Sequence, residues 1–383
     1  MTEPLYLDYN ATTPVDPRVL EAMLPWLREG FGNPSSDHVY GRRAKAAVDA
    51  ARARVAELIG ARPEEIVFTG CATEANNLAI QGAARAAGAS GRRRLATSAI
   101  EHPSVARPLA ELARNGWAVD ELPVDAEARV RLASVTDAVG ADTLLVSVML
   151  ANNEVGTIQP IRAIADRAHA VGALMHVDAA QAAGKIPVDV DDLGADLLTL
   201  AGHKFYAPKG VGALYVREGT PLAAITHGAG HERGLRPGTE NVPHIVGLGE
   251  AARLAREALA GEAERIGVLR DDLHRRLAAA IPGLLLNGHP QARLPNTLNL
   301  SFPGVTGWDL LAAAGSLAAS TGSACHAGQH AASGVLGAMG RDGVLAAGAV
   351  RLSLGRFTTA AETGAAAEAL IAAWKSLGVR RGP

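Results

Sequence analysis

Between about residues 65 and 217 the chain alternates short apolar runs with alanine-rich stretches of helical character. The runs are EIVFT, RLATSAI, TLLVSVML, LMHVDAA, DLLTLAG and GALYVRE, and the stretches between them include ATEANNLAIQGAARAAG and IRAIADRAHAVG. Uninterrupted Val-, Ile- and Leu-rich runs read as strands buried on both faces, and strands separated by helices read as a mostly parallel sheet covered on both sides. The expected fold class is α/β. Ligands on such sheets lie beyond the carboxyl ends of the strands, which singles out the polar residues just after each run: Thr73, His102, Asn153, Asp178, His203 and Lys204. A long helical region over Val242–Ala280 leads into a shorter unit, where NTLNLSF and AVRLSLG read as strands and TTAAETGAAAEALIAAWKSL as a closing helix. This pattern predicts a smaller second domain.

Composition narrows the function classes. A chain of 383 residues with 48% hydrophobic content has material for a large core and exceeds the usual single-domain length. A net charge of -2 offers no basic surface for a nucleic-acid backbone or an anionic membrane. The apolar runs are too short to cross a bilayer. Only two cysteines occur, Cys71 and Cys325, so no disulfide framework is expected. The opening MTEPLYLDYNATTP lacks the basic and apolar regions of a signal peptide, and a reducing, cytoplasmic setting is the expectation.

The polar residues at strand ends suggest specific chemistry. Lys204 follows an apolar run directly, beside His203 and flanked by glycines. A lysine so placed loses solvation and becomes a nucleophilic amine suited to a Schiff base with an aldehyde, whereas an isolated loop lysine is more often a solvated surface group. Asp178 also ends a strand, with Gln181 close behind, and a buried carboxylate there needs a cationic partner. A protonated pyridine nitrogen is one such partner, and an N-cap over the following residues is another use for the same carboxylate. In FTGCATEANN the backbone N–H groups of Ala72 and Thr73 and the Thr73 hydroxyl fit a phosphate at a helix start, and equally an ordinary capped helix. His102 offers a ring to stack on a flat ligand, and Asn153 a hydrogen bond to one or simply a turn. In STGSACHAGQHAASG, Cys325 sits among small residues and glycines, a poor place for a structural thiol and a good one for a mobile nucleophile. A metal site from Cys325, His326 and His330 is disfavoured, because neighbouring ligands on a loop seldom converge and no fourth ligand is evident. Cys71 reads as a small packing residue.

The segments YLDYNATTP, FGNPSS, EIVFTGCATEANN, EHPSV, LANNEVGTIQPI, HVDAAQAAGK, GHKFYAPKGVGALYVR, GHERGLRPGTEN, RLPNTLNLSF, GSAC and VRLSLGRFTT, in this order over nearly the whole chain, resemble the NifS/IscS-like cysteine desulfurases. These belong to class V of the fold-type-I pyridoxal-phosphate enzymes. The resemblance implies a large cofactor-binding domain over residues 15–250 with a mostly parallel, seven-stranded-type sheet. A smaller α/β domain would comprise residues 1–14 and 251–383 and carry the cysteine loop. It implies pyridoxal 5'-phosphate as cofactor, with Lys204 on its aldehyde, Asp178 on the pyridine nitrogen and Gln181 on the ring hydroxyl. His102 would stack on the ring and move protons, Asn153 would support ring and substrate, and Ala72, Thr73 and His203 would bind phosphate. Thr239, in RPGTEN, would reach the phosphate of a neighbouring subunit, which implies a homodimer with shared active sites. Arg351 would grip the substrate carboxylate, and its planar fork is suited to that task.

The resemblance also implies a reaction. L-cysteine would become L-alanine, with its sulfur left as a persulfide on Cys325. That sulfur would pass to an acceptor protein for iron–sulfur cluster or other thio-cofactor assembly. Three features depart from the common pattern. Ala201 stands where many relatives have a phosphate-binding hydroxyl. The Cys325–His326 pair resembles selenocysteine lyases, which makes release of selenium from L-selenocysteine the alternative activity. The chain also ends at WKSLGVRRGP without the extension that some iron–sulfur desulfurases use to contact a scaffold. A non-catalytic sulfur-protein platform is a third reading, and the presence of Lys204, Asp178, Cys325 and Arg351 together argues against it.

Overall fold

The computed structural model describes residues 3–88, 91–322 and 333–379. Its strands are β1 (Leu5–Tyr6), β2 (Ile66–Thr69), β3 (Arg94–Ser98), β4 (Ala118–Leu122), β5 (Thr143–Met149), β6 (Leu174–Asp178), β7 (Leu197–Ala201), β8 (Gly212–Val216), β9 (Leu285–Asn287), β10 (Thr297–Ser301), β11 (Leu317–Ala318) and β12 (Ala349–Ser353). Seven of them form one sheet in the order β2-β8-β7-β6-β5-β3-β4. Only β8 runs against its neighbours, as its registers with β2 and β7 show, so the sheet is the mostly parallel α/β sheet that the alternation predicts. Every residue of β5 and β7 is buried, the signature of strands covered on both faces. One face is packed by the large apolar cluster that includes Phe68, Val148, Val177 and Leu198, the other by a cluster that includes Val67, Leu95, Leu145 and Leu214.

Helices α1 (Pro17–Arg28), α2 (Val39–Leu58), α3 (Ala72–Ala86) and α4 (Pro103–Arg114) begin at well-defined caps or strand ends. Asp16 caps α1 and His102 caps α4, each followed by proline at the first helical position, where the missing N–H costs nothing. The 39-residue helix Val242–Ala280 joins two cores. Its first half buries Ile245, Leu248 and Ala252 beside the large sheet, and its second half buries Ile266, Leu273 and Leu277 in a separate cluster with Leu298, Val350 and Leu352. That second cluster backs an antiparallel sheet of order β12-β10-β9, while β1 pairs in parallel with β11. A bridge from Asp8 to Ser353 and another from Ser320 to Arg351 carry the N-terminal segment and the residues after β11 onto β12. Strand β3 has β4 on one side and β5 on the other, the reversal of direction that opens a crevice at the carboxyl ends of an α/β sheet.

Candidate active site

The crevice holds a cavity of about 470 Å³ lined by both parts of the molecule. That volume lies within the range of small-ligand sites, roughly 300–1,000 Å³. One wall depends on Gly212. Its pairing with Thr69 on one side and Ala201 on the other brings the ends of β2 and β7 together. A Cβ at Gly212 would lie 2.7 Å from the Leu200 carbonyl oxygen, 2.9 Å from the Cys71 carbonyl carbon and 3.1 Å from the Ala72 nitrogen. Glycine therefore lets the start of α3 sit against the turn that carries His203 and Lys204. Cys71 occupies the N-cap of α3 without offering a side-chain acceptor, so the N–H groups of Ala72 and Thr73, both on the cavity wall, keep their hydrogens for a ligand. Cys71 itself is exposed and lines the cavity, contrary to its expected role as a packing residue, because β2 ends two residues earlier and the chain surfaces there.

Lys204 follows β7 in a short 3-10 turn, and its Nζ donates to the carbonyls of Asn10 and Ala11, both at 2.7 Å. Burial first, then the Arg351 charge, lowers the amine to about 8, against the opposing pull of Asp8 and Asp178. At pH 7 roughly a tenth of a group with that value is neutral, against about one part in 3,000 for an ordinary lysine. In the cofactor-free protein, labelling of Lys204 by a small amine-directed reagent, read by peptide mass spectrometry across pH, should rise as pH increases with a midpoint near 8. A midpoint near 10.5 would contradict this environment.

Asp178 is buried at the end of β6. Its carboxylate accepts from Asn76 Nδ2 at 2.9 Å and from the Ala180 N–H at 2.9 Å, so it caps a turn rather than a helix. Glu101 lies nearby, its Oε1 receiving the Ser98 hydroxyl and the Met149 N–H. Burial pushes Glu101 up to about 8, with the Asp178 charge acting in the same direction. Gln181 donates to the Asn10 carbonyl and accepts from Lys185 Nζ at 2.7 Å. His203 is pushed down to about 4 by burial and the charges of Lys204, Lys209 and Lys185, and its Nδ1 lies 3.1 Å from the Thr12 hydroxyl.

The opposite wall comes from β12. Arg351 is buried and its guanidinium is already engaged, with one nitrogen on Asp8 at 2.7 Å and another on the Asn153 carbonyl at 2.9 Å. Its Nε has no partner among the described residues. The cavity lining therefore brings together Ala72, Thr73, His102, Asn153, Asp178, Gln181, His203, Lys204 and Arg351. Thr239 is exposed and does not line the cavity of its own chain. Cys325, with His326 and His330, lies outside the described residues.

Asn10 is the residue that reading the sequence missed most plainly. Its Nδ2 donates to Thr297 and the Asn153 carbonyl, its Oδ1 accepts from Asn296 and Lys185, and its carbonyl accepts from Gln181 and Lys204. The only sequence signal was its place in the YLDYN motif.

Comparison with known proteins fits this geometry. The model of the family described as Aminotransferase class-V matches residues 5–365. The chain is 48% identical over 365 residues to the cysteine desulfurase IscS of Anaeromyxobacter sp. (strain Fw109-5), covering 94% of this chain and 90% of that one. It is 48% identical over 363 residues to the cysteine desulfurase IscS of Methylococcus capsulatus (strain ATCC 33009 / NCIMB 11132 / Bath), with the same coverage. The solved structure of a NifS-like protein superposes with a TM-score of 0.91 at 38% identity, covering 98% of this chain and 100% of that one. SspA solved in complex with cysteine superposes with a TM-score of 0.82 at 36% identity, covering 92% and 99%. The chain belongs to the class-V aminotransferase family, among its NifS/IscS-like cysteine desulfurases.

Proposed function

We propose that this protein is a pyridoxal-phosphate-dependent cysteine desulfurase that converts L-cysteine to L-alanine and leaves the sulfur as a persulfide on Cys325. The observation that carries the reading is one cavity uniting a depressed lysine amine, a buried carboxylate and a helix start with uncapped N–H groups. Those three features fit the aldehyde, the ring nitrogen and the phosphate of the cofactor, and the Gly212 cradle supports the third. When bound, pyridoxal phosphate withdraws electrons from the substrate carbons and so weakens bonds that are otherwise inert.

The chain supplies the rest. Lys204 provides the amine and, beside the cavity, a carrier for protons at Nζ. Asp178, which accepts from Asn76 and the Ala180 N–H, would face the ring nitrogen and favour its protonated form. Ala72, Thr73 and His203 would hold the phosphate, Gln181 the ring hydroxyl, and His102 and Asn153 the ring, all six lining the cavity. Arg351 orients the amino-acid carboxylate, for which its interaction with Asp8 has to loosen or be shared. The Cys325 thiolate then attacks the substrate sulfur. The carbon–sulfur bond breaks as the sulfur–sulfur bond forms, and alanine leaves with hydrogen where sulfur had been. Gly322 lines the cavity and precedes Cys325 by three residues, a covalent reach of at most about 11 Å.

The active unit is a homodimer in this reading. Thr239 is exposed beside Arg236, whose Nε donates to Glu74 in the first turn of α3 at 2.8 Å, and from there it completes the neighbour's phosphate site. The persulfide is handed to a thiol of an acceptor protein, in the cytoplasm, for iron–sulfur cluster or other thio-cofactor assembly. Product analysis with L-cysteine and L-selenocysteine in parallel, with a dithiol present, tests the assignment. Alanine from cysteine with release of sulfide is expected. Alanine from selenocysteine alone would assign a selenocysteine lyase, and alanine from neither would remove both.

A further inference from the structure

His102 caps α4 through its own ring. The Ser104 N–H donates to His102 Nδ1 at 3.1 Å, and the Ser104 hydroxyl lies 2.8 Å from the same nitrogen. A backbone N–H only donates, so Nδ1 presents a lone pair. The hydroxyl is held from behind. Asn76, wholly buried, places one Nδ2 hydrogen on Ser104 Oγ at 2.8 Å and the other on Asp178 Oδ2 at 2.9 Å. Turning the Asn76 amide over would set its oxygen against the Asp178 carboxylate, so the anion fixes which end of the amide faces it. Because Nδ1 already accepts the Ser104 N–H and carries no hydrogen, the Ser104 hydroxyl directs its own hydrogen to Nδ1 while its oxygen accepts from Asn76.

We infer that Ser104 and Asn76 are positioning residues that lock His102 as the Nε2–H tautomer, so that the free edge of its ring acts as a hydrogen-bond donor and not as a base. Nε2 has no partner among the described residues, and the ring lines the cavity. Whatever meets that edge must be an acceptor, such as the ionised sulfur or the carboxylate of an amino-acid substrate. Conversion to the imidazolium would put a hydrogen on Nδ1 against the Ser104 N–H, which cannot turn away, and would force the Ser104 hydroxyl to reverse. Burial lowers the ring's proton affinity, and of the two facing charges Asp178 raises it while Lys204 lowers it, the net direction being downward. The inference rests on the desulfurase reading only for what the free edge meets.

The test is 15N magnetic resonance of the holoenzyme labelled in its histidine rings, with His102 identified by difference from His102→Gln. The expected result at pH 7.5 is a bare Nδ1 and a protonated Nε2. A proton on Nδ1 would overturn the inference. In Ser104→Ala the ring loses one donor to Nδ1, and its titration midpoint should move up by about one pH unit, a tenfold gain in proton affinity, with Ser104→Thr restoring the wild-type value. An unchanged midpoint in a folded Ser104→Ala protein would also overturn it. If that variant fails to fold, the wild-type tautomer still decides. The readout is the ring and not turnover, so absence of desulfurase activity would remove the function while leaving the tautomer standing or falling by its own signal.

Discussion

Lys204→Ala should lose turnover of L-cysteine by about 10⁴-fold or more, since it removes both the attacking amine and a positioned proton carrier. Fold and cofactor retention should survive, because Asp178, the start of α3 and the Gly212 cradle do not depend on the lysine side chain. The carbonyls of Asn10 and Ala11 would lose the Lys204 donor, but the Asn10 carbonyl keeps Gln181 and its side chain is held by Thr297 and Asn296. Steady-state alanine formation measures the loss. Borohydride reduction of the wild type followed by peptide mapping measures the cause, with the pyridoxyl group expected on Lys204. Its appearance on Lys185, whose Nζ is also within the network at Gln181, would move the role to that residue.

Cys325→Ser should bind the cofactor and L-cysteine as the wild type does, because Lys204 and Arg351 are untouched. It should form alanine on the order of 10³-fold more slowly. That factor corresponds to about 4 kcal/mol of lost transition-state stabilisation, the scale expected when a nucleophile is replaced by one that stays protonated. Binding and chemistry separate in this variant, so kcat should fall while the spectral change on adding substrate persists. Selenocysteine, with a better leaving group, should suffer less. Equal loss on both substrates would argue that the cysteine holds the site together rather than taking the sulfur.

What the sequence made legible follows from where each signal lies. Strands β5 and β7 are buried on both faces and stood out as mostly apolar runs, broken only by Thr143, Ser147 and Thr199. The edge strand β4, AVDEL, is mostly accessible and carries acids at two of five positions, so no run marked it. Helix α2 buries Ala44, Val48, Ala51 and Val55 between arginines, and a face built largely of alanine gives little hydrophobic contrast. β1 and β11 are two residues each and exist only because Leu5 meets Leu317 across the fold.

The site divides the same way. Lys204, Asp178 and His102 sit at strand ends, where the fold class alone says to look. Asn10, Asn76, Ser104 and Glu101 act through partners on other strands and helices, and their roles are set by facing groups that spacing along the chain does not reveal. Cys71 shows the limit of composition as a guide. A small thiol after an apolar strand read as packing, yet the strand ends early and the residue surfaces at the cavity.

The central claim is that sulfur passes to Cys325. Intact and peptide mass spectrometry of the wild type after one turnover with L-cysteine, without reductant and with excess thiol quenched by alkylation, tests it directly. The account predicts one added sulfur on the tryptic peptide that contains Cys325, and none on that containing Cys71. Added sulfur on Cys71 instead, or alanine formed in stoichiometric amount with both cysteines unmodified, would contradict it.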